Sequence, residues 1–173
     1  MTELIRFFWQ MALLRRAPQD LPDSAFLLHA LLVVNLGLNF LLGLKVFAGP
    51  LDALGATLLE LVLSAALLFA GLQSQGKRER WRQSYTSLLG IGVIGALVTL
   101  VYRALAVLLG MPVVSGFLDL LVFLWLMVAM AHVVRHSFDI ALPFGILIVF
   151  AYTMFLLGLV AQWFPPELPA AQP

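Results

Sequence analysis

Gly76-Lys77-Arg78-Glu79-Arg80-Trp81-Arg82 is a short polar island in a strongly apolar chain, and it holds four of the ten Lys and Arg residues. Apolar runs flank it on both sides. Lys and Arg gather in cytoplasmic loops because they resist translocation and are drawn to anionic headgroups. The island therefore reads as the cytoplasmic hinge of a multi-span membrane protein, with Lys77, Arg78, Arg80 and Arg82 forming a basic loop.

Composition points the same way. The 173 residues are 62% hydrophobic and 11% charged, with a mean hydropathy of +1.03. A soluble domain of this length needs a more charged surface. The net charge of +1 gives no basic face for nucleic acid. The absence of cysteine excludes disulfides, thiolate metal sites and thiol nucleophiles.

A bilayer core needs about 20 apolar residues in helix. Five stretches qualify: 26–47, 51–72, 86–109, 113–134 and 140–163. The runs are continuous rather than alternating, which argues against barrel strands. Gly49-Pro50 and Gly110-Met111-Pro112 break them into helical hairpins. Pro165, Pro166 and Pro169 end the last helix, and 165–173 reads as a disordered tail. The fold class is all-α: a five-helix transmembrane domain over 25–164, preceded by a cytoplasmic segment, 1–24.

With the island in the cytoplasm, Arg6, Arg15, Arg16 and Arg135 fall on the same side, making eight basic residues. Only Lys45 and Arg103 fall on the other. This asymmetry predicts a cytoplasmic N-terminus, five spans and an outside C-terminus, in a bacterial inner membrane. Met1–Arg16 is too polar to span. Glu3, Arg6 and Gln10 share one stripe and apolar residues fill the rest, the pattern of an amphipathic helix lying in the interface. A helix packed against the bundle fits the same pattern. Arg16–Ser24 is a Pro-containing linker, with Asp23 or Ser24 as N-cap for the first span.

Ionisable groups within spans are costly and mark candidate sites. Glu60 lies about 18 Å from the cytoplasmic end of its span. Asn39 and Thr99 fall at similar depth, with Asn35 a turn away. Arg103 lies about two turns nearer the outer face, and Asp119 falls between. Small and polar residues step along single faces: Asn35, Asn39 and Gly43; Ala56, Glu60 and Ser64; Gly92, Ala96, Thr99 and Arg103. Such faces line helix interfaces in membranes. The expectation is an inward cluster of Asn35, Asn39, Glu60, Thr99, Arg103 and Asp119, in which Glu60 and Asp119 balance Arg103 and Lys45. It serves either as an ion or substrate site or as a tie between helices.

His132 and His136, spaced i, i+4, could present two metal ligands on one face. Interfacial histidines among headgroups have the same spacing. No nucleophile–base pairing suggests catalysis, and no cofactor motif is present. The expected guests and partners are the lipid bilayer and other membrane proteins or further copies of the chain.

The segment Ala12-Leu13-Leu14-Arg15-Arg16-Ala17-Pro18-Gln19-Asp20-Leu21-Pro22, followed by five closely spaced spans, resembles the short bacterial membrane proteins grouped with the Yip (Ypt-interacting protein) superfamily. The resemblance implies a non-enzymatic scaffold, adaptor or membrane-organising accessory factor. The alternative from the residues themselves is a small transporter or channel subunit with Glu60 on the pathway.

Overall fold

The computed structural model describes residues 2–165; most of the proposed tail lies outside the described residues. Six α-helices follow in order: α1 (Thr2–Ala12), α2 (Ala25–Gly43), α3 (Pro50–Ser74), α4 (Trp81–Leu108), α5 (Pro112–Phe138) and α6 (Leu142–Trp163). Helices α2 to α6 are long and apolar enough to cross a membrane. Their outward faces carry large bare apolar side chains, such as Phe26 and Val113 at 83% and 85% exposure. Water does not tolerate so extensive an apolar surface, whereas lipid does. The chain is built as a multi-pass membrane protein.

Helix ends differ from the sequence reading in instructive ways. Ser24 caps α2, its Oγ accepting from the Leu27 N–H at 3.2 Å. α2 stops at Gly43 rather than Phe47, because Gly43 packs closely on Ala53 as the chain turns into α3. α4 starts at Trp81, five residues before Thr86. Its polar first turns are satisfied inside the bundle: Trp81 Nε1 donates to Ala65 O at 3.1 Å, Thr86 Oγ1 to Arg82 O at 2.7 Å, and Ser87 Oγ to Gln83 O at 2.8 Å. α5 runs to Phe138 for the same reason, with Ser137 Oγ donating to Val133 O and reaching Ser84 Oγ at 2.7 Å.

α4 is the central helix. α2 and α5 pack along it, α3 pairs with α2, and α6 pairs with α5. α3 and α6 meet only sparsely. α1 lies against α4 and α5, burying Phe8, Met11 and Ala12 while leaving Ile5 and Trp9 exposed. It is thus both amphipathic and docked. Lipid is as apolar as the side chains it would replace, so burial alone holds such a helix weakly. Close packing and hydrogen bonds matter more: the Phe8 ring sits on Gly90, and Trp125 Nε1 donates to Ala12 O at 3.0 Å.

The basic island is a clasp. Asp139 caps α5 in the left-handed region, at φ 57°. Lys77 Nζ and Arg80 Nη1 reach its Oδ2 at 3.1 and 2.7 Å, and Lys77 also donates to Phe138 O at 2.7 Å. Arg82 pairs with Asp23 at 2.8 Å, and Arg78 lies over Phe69. The α3–α4 turn, the α5–α6 turn and the linker are therefore tied together at one end. Hydrogen bonds from Lys77 and Arg80 hold the Asp139 carboxyl below the ordinary carboxylate range. A lowered folded pKa contributes stability above the ordinary value and loses it as pH falls through the folded one. The expected result at neutral pH is faster tryptic cleavage after Lys77 and Arg80 in Asp139→Asn; unchanged cleavage would contradict the clasp.

Candidate functional site

Where the five long helices converge they enclose a cavity of about 350 Å³. This is within the range of small-molecule sites. Leu, Val and Met side chains form most of its wall. The polar groups on it are Asn35 and Asn39 from α2, Glu60 and Ser64 from α3, Tyr85 and Thr99 from α4, and Tyr152 from α6.

Most of these groups are already engaged. Asn35 Nδ2 donates to Leu89 O at 3.2 Å, which its seat against Gly92 permits; a Cβ there would lie 2.5 Å from Asn35 Nδ2. Asn39 Nδ2 donates to Asn35 Oδ1 at 2.8 Å. Ser64 Oγ and Tyr85 OH both donate to Leu61 O, at 3.1 and 2.7 Å. Tyr152 OH donates to the Glu60 main-chain O at 3.3 Å.

The Glu60 carboxyl differs. It is half-buried on the cavity wall, and among the described residues no hydrogen bond or ion pair engages it. A carboxyl within a membrane span is expensive and marks a functional candidate. A carboxyl without a fixed partner, aimed into a cavity, is therefore the central observation.

The counter-ion expected for it is elsewhere. Arg103 pairs instead with Asp119 of α5, Nη2 and Nε lying 2.9 and 3.1 Å from Oδ1, and Tyr102 OH donates to the same oxygen. Asp119 on the facing helix satisfies the guanidinium locally, so the sequence-based balance of Glu60 against Arg103 does not form. Lys45 is exposed and lines a separate outer groove with Arg103. Of the six-residue cluster, Asn35, Asn39, Glu60 and Thr99 share the cavity; Arg103 and Asp119 form a second site.

His132 and His136 do face each other, with ring centroids 4.6 Å apart, edge to face. His132 Nε2 lies 3.0 Å from Arg16 O, so that nitrogen carries a proton and donates to a carbonyl. The pair helps to seat the linker, as does Gln19 Nε2 donating to His136 O at 2.9 Å. Among the described residues, no group of three or more His, Cys, Asp or Glu is placed to hold a metal.

Sequence reasoning missed Tyr85 and Tyr152. Tyr85 fell before the assumed start of its span. Tyr152 carried a usable signal: a hydroxyl in mid-span needs a partner, which places its face inward.

Comparison of the chain with protein-family models, with curated proteins and with solved structures finds no match.

Proposed function

We propose that this is a non-enzymatic membrane protein that binds a small organic cation at Glu60, as a small transporter or its binding subunit. The Glu60 carboxyl, facing the internal cavity and without a partner among the described residues, carries this reading. One carboxylate suits one positive charge, and the hydroxyls of Tyr85, Tyr152 and Ser64 supply neighbouring oxygen acceptors for an N–H. The orientation proposed with it puts the clasp end in the cytoplasm of a bacterial inner membrane, supported by the eight-to-two distribution of basic residues.

The scaffold or adaptor role implied by the Yip resemblance is the second reading, supported by short loops and the five-span topology. It draws less from the basic loop, since Lys77, Arg78, Arg80 and Arg82 all have partners within the chain. Thermal unfolding of the solubilised protein with alkylammonium ions separates the two. A ligand that binds only the folded state raises the melting temperature. Binding at Glu60 predicts a rise that Glu60→Gln removes; a rise that survives Glu60→Gln, or none at all, would count against it.

A further inference from the structure

The cavity has a side opening. Leu67 on α3 and Ile148 on α6 both line it and are 47% and 46% exposed. Leu67 lies seven residues before the end of α3 at Ser74, and Ile148 six residues after the start of α6 at Leu142. Both therefore sit about 10 Å from the clasp end of their helices. They face lipid at the depth of one leaflet, not water.

The surrounding contacts explain why the gap lies there. Two contacts between α3 and the α6 end of the chain lie farther from the clasp. Phe164 closes on Gly55 near the opposite end, where a Cβ at Gly55 would lie 2.5 Å from the ring. The Tyr152 hydroxyl bonds Glu60 O in mid-bundle.

We propose that α3 and α6 form a lateral portal through which an amphiphilic amine, a protonated amine on an apolar chain, passes from the bilayer to Glu60. This rests on the reading of Glu60 as a cation site and names the class of guest. The geometry matches both halves of such a molecule. The portal end of the cavity is apolar, with Leu68, Leu88, Val134 and Val149 on its wall. The polar groups begin at Ser64 and Tyr152 and continue through Glu60 to Asn39 and Thr99. A guest sliding in head first carries its charge to the carboxyl and leaves its chain among side chains as apolar as the lipid it left. A small hydrophilic cation has no such path, because it must first cross hydrocarbon.

The test uses the full chain in detergent, with native mass spectrometry to count bound dodecylammonium, dodecanol and methylammonium. Dodecylammonium is expected to bind roughly tenfold or more tightly than dodecanol, from the charge-assisted bond to Glu60. Glu60→Gln should erase that preference. For the portal, Leu67→Cys and Ile148→Cys are combined, since the natural chain has no cysteine. Bridging the two thiols with a cleavable bifunctional reagent should block dodecylammonium uptake, and cleaving the bridge should restore it.

Glu60-dependent binding of methylammonium without dodecylammonium would overturn the amphiphile proposal and leave the cation site standing. No Glu60-dependent binding of any amine would overturn both. Undiminished uptake by the bridged protein would overturn the portal alone.

Discussion

Glu60→Gln is expected to weaken amine binding roughly ten- to a hundredfold while leaving expression and melting temperature at or above the wild-type level. The carboxyl has no fixed partner among the described residues, so its replacement by a neutral amide breaks no tie between helices. An acidic group at mid-membrane costs a few kcal/mol on insertion scales, and the amide removes that cost. The affinity lost is that of a charge-assisted hydrogen bond, about 1.5–3 kcal/mol, or roughly ten- to a hundredfold. Asp119→Asn is the contrasting variant. It weakens a pair that joins α4 to α5, so it should lower the melting temperature without touching the amine site. If Glu60→Gln instead behaved like Asp119→Asn, Glu60 would be architecture.

The second large effect concerns packing. Gly145→Ala is expected to destabilise the bundle by about 1–3 kcal/mol, the usual cost of overpacking. A Cβ at Gly145 would lie 2.7 Å from the Ala131 carbonyl oxygen and 3.5 Å from the Arg135 nitrogen. Both belong to the backbone of α5, which cannot swing aside as a side chain can. α6 would have to move off α5 near the clasp end. Gly158→Ala on the same helix is the control, because nothing lies within 4 Å of its Cβ. Replacing that exposed glycine should stabilise α6 slightly through helix propensity. Thermal unfolding of the two variants in the same detergent checks the contrast; equal melting temperatures would contradict the close α5–α6 contact.

The number and order of the spans were legible because twenty-residue apolar runs have few other fates. The ends of α4 and α5 were not. Trp81, Ser84, Tyr85 and Ser137 look too polar for a packed helix until their partners across the bundle are known. Asn35, Asn39, Glu60 and Thr99 were legible as one face-to-face set, because i, i+4 spacing on antiparallel helices fixes both face and depth. The partner of Arg103 was not, since Glu60 and Asp119 lay at comparable depth and only the lateral order of the helices decides between them. That order, with α3 beside α6 but barely touching it, is a tertiary fact. The portal could not be read from any single helix.

The most direct measurement is labelling of the full chain, in its bilayer, with a hydrophobic carbodiimide, which adds to carboxyl groups reachable from lipid. One adduct is expected in the spans, mapped to Glu60 by mass spectrometry, absent in Glu60→Gln and suppressed by dodecylammonium. Asp119, held by Arg103 and Tyr102, should stay unlabelled. A Glu60 that resists the reagent while Asp119 reacts would contradict the free carboxyl on which the function rests.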